Sequence, residues 1–306
     1  MGSLSGPLQD PAADAGWQDP QPRKGFFTDT SICIGCKACE VACKEWNAIP
    51  EDGLAMLGSS YDNSEALGAS TWRHVAFIEQ PAPAAAPGSG RASLPMPTTQ
   101  RPGDALPPES RTDFRWLMSS DVCKHCTHAA CLDVCPTGAL FRTEFGTVVV
   151  QDDVCNGCGY CVPACPFGVI ERREGDEHTK NVGIAQKCTL CYDRLGAGLT
   201  PACAQACPTE SIQFGDLDEL RERAAARAET LRSQGVAEAR LYGASPEDGV
   251  GGSGALFLLL DEPEVYGLPP DPVVSTRDLP QMWKQAGIAA LGLLAGAAAT
   301  FLGGSR

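Results

Sequence analysis

The chain is poor in several things that most functional classes need. It has 24 Lys and Arg against 38 Asp and Glu, a net charge of −14. No basic stripe is present to neutralise phosphates, so nucleic acid is excluded as a partner. There is no phosphate-cradling GxxxxGK[ST] loop, no GxGxxG turn after a strand, and no pairing of a nucleophile with a base; a substrate site of the chain's own is not expected. Residues 1–24 are rich in Pro, Asp and Gln and lack a basic segment followed by an apolar one. They do not read as a secretory signal, and are expected to form a disordered tail or a strap over a partner. Large apolar residues are sparse and aromatics make up 7%, while Gly (33) and Pro (24) are abundant. A core this lean needs help from something besides side-chain burial.

Cysteine is the exception, with sixteen in the chain. They fall into four quartets with none left over: Cys33, Cys36, Cys39, Cys43; Cys123, Cys126, Cys131, Cys135; Cys155, Cys158, Cys161, Cys165; and Cys188, Cys191, Cys203, Cys207. Neighbours in CxxC spacing seldom reach disulfide geometry, so a disulfide scaffold is the weak reading. Quartets one and three have the CxxCxxCxxxC spacing that holds 4Fe-4S clusters. Three cysteines on a tight loop grip one cubane, and the fourth starts a helix that points to the neighbouring cluster. Pro136, Pro166 and Pro208 follow the last cysteine of quartets two, three and four, where the first helical turn needs no N–H. Cys43 departs from this, being followed by Lys44. Gly35 and Gly157 let the backbone approach a cluster closely. Zinc is the competing metal, with two CxxC pairs across a longer loop. Only quartet four, with eleven residues between Cys191 and Cys203, resembles that. Its CxxxCP ending matches the others, so the residues point to four 4Fe-4S clusters, with a zinc-stabilised structural or interaction protein as the remote alternative.

Leu140–Thr143 and Thr147–Gln151 read as a β-hairpin turning at Glu144, Phe145 and Gly146. A hairpin between quartets two and three fits a two-cluster module. The gap from Cys165 to Cys188 is nearly as short, so spacing also permits pairing three with four and one with two.

FFTDTSICIGCKACEVACKEWN (26–47), the order of the quartets and LDEPEVYGLP (260–269) resemble the iron–sulfur (β) subunit of molybdopterin-dependent formate dehydrogenases. More broadly, they resemble the four-cluster subunits of molybdopterin oxidoreductases. The resemblance implies an α+β, irregular-rich fold of two ferredoxin-like modules, one inserted in the other, with small hairpins, short helices and a C-terminal helix. It implies one cluster on Cys33, Cys36, Cys39 and Cys207, and its partner on Cys188, Cys191, Cys203 and Cys43. The inner pair would use Cys123, Cys126, Cys131 with Cys165, and Cys155, Cys158, Cys161 with Cys135. The chain would then be no enzyme alone. It would relay electrons from a molybdopterin catalytic subunit oxidising formate to an acceptor such as a quinone-linked cytochrome b subunit. The same role beside a nitrite or polysulfide reductase or a hydrogenase is the alternative.

Residues 25–215 are thus expected to form the four-cluster domain, with 81–113 a Pro/Ala-rich insertion, and 216–281 a scaffold extension. Asp216 opens an expected helix with Glu219 placed for a capping box and Gly235 near its end; its heavy charge suggests a mostly solvated face. Ala255–Leu260 reads as a buried strand. His125 and His128, inside quartet two, are candidates for tuning a cluster, whereas His74 and His178 are expected on the surface. Within 282–306, residues 286–302 are uncharged and, as a helix, span ~26 Å, at the short end for a bilayer. Gly292 and Gly296 fit a close helix contact. The alternative is a small-residue helix buried on a partner; related β subunits favour a membrane anchor, and hence a membrane-associated protein whose side is open.

Overall fold

A single helical turn, α1 (Pro11–Asp14), precedes strand β1 (Lys24–Asp29), and a 3₁₀ turn at Thr30–Ile32 leads to α2 (Ala38–Asn47), which carries Cys39 and Cys43. A long hairpin follows, β2 (Arg73–Pro81) with β3 (Phe114–Val122). The middle of the chain is built of short pieces: α3 (Ala130–Asp133), β4 (Leu140–Arg142), β5 (Val148–Val150), α4 (Cys161–Ala164), β6 (Glu171–Arg172) and β7 (Ala185–Gln186). Then come α5 (Tyr192–Gly196), α6 (Ala202–Gln205) and β8 (Ile212–Asp216). The C-terminal part holds α7 (Leu217–Ser233), β9 (Arg240–Tyr242), β10 (Ala255–Leu259) and α8 (Leu279–Gly303). The computed structural model describes residues 11–52, 62, 64–81, 114–274 and 276–303. Positions 1–10 of the N-terminal tail, and the expected Pro/Ala-rich insertion beyond Pro81, lie outside the described residues.

The sheet order is β8–β1–β10–β9, so the first strand of the chain is an inner one. It runs antiparallel to β8 and parallel to β10, with Phe26 opposite Ala255 and Phe27 opposite Leu256. Side chains of a strand alternate between faces, and here the two faces bury different things. Phe26 and Phe257 join a core that includes Cys39, Cys123, Cys188 and Cys203. Phe27, Leu256 and Leu258 pack on Leu217, Leu220, Ala224, Ala228 and Leu231 of α7. One face of the sheet is therefore held by hydrocarbon and the other by a core studded with thiols. Phe27→Ala is expected to cost about 3–5 kcal/mol, read as a lower urea midpoint.

Several sequence expectations meet the structure here. The ALFLL run is a fully buried strand, as its composition suggests. The β4–β5 hairpin turns where expected: the N–H of Thr143 donates to Thr147 O and that of Gly146 to Thr143 O. The α7 helix starts after Asp216, but no capping box forms, because the Asp216 carboxylate is taken by Lys24 Nζ. The expectation of a mostly solvated helix missed that leucines and alanines at helical spacing make one buried stripe. The tail from Pro11 onward is not loose: Ala12 is buried and Trp17 Nε1 donates to Arg142 O at 2.8 Å. It straps this chain's own β4–β5 hairpin. His74 is buried rather than exposed, its Nε2 2.9 Å from Asp62 Oδ2, whereas His178 is exposed as expected.

The C-terminal α8 begins seven residues before the apolar stretch expected from sequence. Its segment Gln281–Leu302 is long and apolar enough to cross a membrane and is unburied throughout. At 1.5 Å per residue these 22 residues reach about 33 Å, enough for a hydrocarbon core of about 30 Å.

Candidate metal centres

The four quartets share a local device. In every opening CxxC the residue just before the second cysteine has positive φ: Gly35 (65°), His125 (44°), Gly157 (70°) and Leu190 (57°). A left-handed residue reverses the loop so that both thiols and the intervening N–H groups face one side. Glycine does this freely. His125 and Leu190 do it at a cost of about 1–2 kcal/mol, so quartets two and four keep the turn without its usual residue.

The turns bring thiols together across the chain. Cys33, Cys36, Cys39 and Cys207 line one cavity, with Ser120 and Thr209. Cys123, Cys126, Cys131 and Cys165 line a second, with His125, Phe167 and Lys187. Cys43 has the thiols of Cys188, Cys203 and Cys191 around it. Around Cys161 are those of Cys155, Cys158 and Cys135. The groups also lie within electrostatic reach of one another in succession. Cys39 interacts with Cys203, Cys188 with Cys123, and Cys131 with Cys161. Four groups of thiols thus stand in a row, with exposed Cys36 near one end and exposed Cys158 near the other.

The residues fit a multi-atom cluster better than a single ion. Among the described residues no three His, Cys, Asp or Glu side chains converge as one metal ion would require; the thiols are spread over cavity walls. Each of the two cavities is lined by four thiols, and an all-sulfur donor set suits an iron–sulfur cluster. Burial pushes the thiols of Cys39 and Cys191 up to about 11 and that of Cys131 up to about 12, and raises Cys188, Cys43 and Cys126 well above the ordinary thiol value. Such thiols stay protonated by themselves, and a bound cation is what would ionise them. Cys135 is the opposite case. Burial is the largest single influence and raises it, but N–H donors from Leu140, Thr137 and Ala139 and the Thr137 hydroxyl together outweigh that and lower it. The Cys-Pro-Thr sequence recurs at Cys207, and both threonine hydroxyls lie close to sulfur, 3.7 Å at Cys135 and 3.8 Å at Cys207.

A buried polar atom also asks for a partner. The Val148 N–H donates to His125 Nδ1 at 3.1 Å, which leaves the proton of the neutral ring on Nε2. That Nε2 is buried without a hydrogen-bond partner among the described residues, and the ring borders the second cavity. Burial first, then Lys187, Arg142 and Arg23, keep the imidazole pKa well below its ordinary value. His125 thus offers one neutral N–H donor at a thiol site, the behaviour expected of a group that tunes a cluster.

Other residues at the sites escaped the sequence reading. Lys124 and Lys187 are both buried; each adjoins a cysteine, so the signal was within reach. Ser120, whose Oγ lies 3.2 Å from Cys39 Sγ, and Arg73, which donates to Ser120, come from the β2–β3 hairpin; both are remote in sequence from the quartet of Cys39 that they serve. Nothing local marks them.

A row of cysteine cradles in a small-helix and hairpin fold defines a multi-cluster iron–sulfur protein. Two family models, both described as 4Fe-4S dicluster domain, match residues 32–139 and 114–217. Two dicluster domains and sixteen cysteines amount to four 4Fe-4S clusters. The chain is 37% identical over 250 residues to the formate dehydrogenase iron-sulfur subunit of Haemophilus influenzae, covering 80% of this chain and 68% of that one. It is 37% identical over 273 residues to the nitrate-inducible formate dehydrogenase iron-sulfur subunit of Escherichia coli, with 87% and 79% covered. It is also 36% identical to the thiosulfate reductase electron transfer subunit of Salmonella typhi, over 67% of this chain and 83% of that one. The chain belongs to the family of formate dehydrogenase iron–sulfur subunits and their electron-transfer relatives.

Proposed function

We propose that this chain takes electrons from a molybdopterin-containing subunit that oxidises formate and passes them to a membrane acceptor, a cytochrome b subunit linked to quinone. The observation that carries the reading is the row of thiol groups, in which each group lies within electrostatic reach of the next. The ligand sets we infer are Cys33, Cys36, Cys39 and Cys207; Cys43, Cys188, Cys191 and Cys203; Cys123, Cys126, Cys131 and Cys165; and Cys135, Cys155, Cys158 and Cys161. These sets make the middle two quartets one module inserted between the outer two. The clusters supply one-electron redox chemistry when bound. The polypeptide holds them in line, excludes water from the middle of the row, and supplies N–H and hydroxyl donors to sulfur. Ile34 and Tyr160 are exposed beside exposed Cys36 and Cys158, which supports assigning partner contacts to the two ends.

The test is an anaerobic purification of the native complex followed by addition of formate. Bleaching of the broad cluster absorbance, with reduced-cluster EPR signals, supports the reading. A preparation reduced by dithionite but not by formate removes the assigned partner. The thiosulfate reductase relative supplies the second reading, the same relay beside another catalytic subunit, and that outcome would favour it.

The α8 helix is the proposed membrane anchor. Ending the chain after Asp278 is expected to move this chain and its catalytic subunit from the membrane fraction to the soluble one while iron per chain stays constant.

A further inference from the structure

Arg73 opens β2 and is 2% exposed, among the largest buried side chains of the protein. Its Nη1 donates to Ser120 Oγ at 3.0 Å and to Ser120 O at 3.3 Å, and its guanidinium lies 4.7 Å from the centre of the Phe26 ring. Nε and Nη2 are buried and have no hydrogen-bond partner among the described residues. Leaving two donors of a permanent cation unpaired in the interior is costly. No carboxylate forms an ion pair with it among the described residues. The groups facing it electrostatically are the thiols of Cys203, Cys39, Cys188 and Cys43. Cys39 belongs to the end set, and the other three belong to its neighbour.

We propose that Arg73 is a positioning residue shared by the two adjacent clusters at the Cys36 end of the row, a fixed buried cation that holds both of their reduction potentials up together. The inference rests on the ligand sets given above. Reduction adds one negative charge to a cluster, and a buried cation stabilises the reduced form more than the oxidised one. Sulfurs of clusters bound at these two sets would supply acceptors for Nε and Nη2, which are otherwise unpartnered among the described residues. The other pair has different company: Lys124 and Lys187 each give their protons to backbone carbonyls, and Lys124 also to Asp121. Removing Arg73 should therefore divide the four clusters into two groups. The bland alternative is that Arg73 only cements β2 to β3 through Ser120 and Phe26.

The experiment is a redox titration of the intact complex followed by EPR, comparing the parent with Arg73→Gln, Arg73→Met and Arg73→Lys at unchanged iron per chain. In the two neutral variants, two of the four signals are expected to move to lower potential. The shift should be at least a tenfold change in the oxidised-to-reduced ratio, about 59 mV for one electron. The other two signals should stay, and Lys should recover most of the shift. No shift at full iron content would overturn the proposal, leaving Arg73 as a packing residue, and so would an equal shift of all four signals. Loss of iron in both neutral variants with normal loading in the Lys variant would also overturn it, because the cation would then be needed to assemble the clusters. Cys39→Ser and Cys188→Ser check the ligand sets independently, each being expected to alter a different one of the two shifted signals. If they alter two signals that Arg73→Gln leaves in place, the tuning role fails and the sets stand. If both serine variants alter the same signal, the sets fail.

Discussion

With alanine at Cys126, formate is expected to reduce only part of the cluster row. Cys126 belongs to the third thiol group counted from Cys33, in the middle of the row. Its thiol lines the cavity beside Cys123, Cys131 and Cys165, so no surface residue can replace it. Loss of one ligand should lower the iron per chain and reduce transfer to the membrane acceptor by more than ~100-fold, since even residues behind a ligand are worth 10–100-fold. The catalytic partner does not depend on this thiol, so its formate oxidation with a soluble dye should persist. EPR gives the sharper readout. Signals on the partner's side of the break should appear with formate, and those beyond it only with dithionite. Full acceptor reduction in Cys126→Ala would show that electrons bypass the row.

Stripping iron with an oxidant and a chelator is expected to unfold one side of the protein and spare the other. The core around Phe27, Leu256 and Leu258 with α7 contains no cysteine. The core around Phe26 does, and so does the cluster of Leu140, Val148 and Ile170 with Cys161. A metal that organises its ligands contributes its binding free energy to folding. Without it, seven buried thiols cluster in space with nothing bonded between them. Hydrogen exchange should therefore show protection kept in Leu217–Ser233 and Ala255–Leu259 and lost across residues 123–191. Uniform protection would mean that side-chain burial suffices on both faces.

Much of this site is legible in the sequence because a cubane cradle is a local object. CIGCKAC fixes a turn within a few residues, and its glycine takes the left-handed conformation the turn needs. The same conformation at His125 and Leu190 was not legible. Nothing about histidine or leucine announces positive φ, and only the tertiary fold imposes it. The hairpin at Glu144–Gly146 and the ALFLL strand could be read because pattern and turn residues agree. The buried stripe of α7 was hidden by its charge, because alanine fills two of its five inward positions. His74 and Arg73 have buried roles that depend on partners far away or on another strand. Such pairings carry no sequence signature.

The place of β1 between β8 and β10 has a consequence for the order in which the subunit can be made. Thr28 leaves the ribosome long before Ile212 and Phe257, its two neighbours in the sheet. Synthesis runs at about 5–20 residues per second, so the first four cysteines wait on the order of ten seconds or more for the strands that shelter them. Pairings so distant in sequence are also slow to form. The thiols made first are thus sealed last, and during that interval they are open to dioxygen and to stray metals. Iron–sulfur loading of the end site is in effect the closing step of the subunit's biogenesis, after nearly all of the polypeptide has been synthesised.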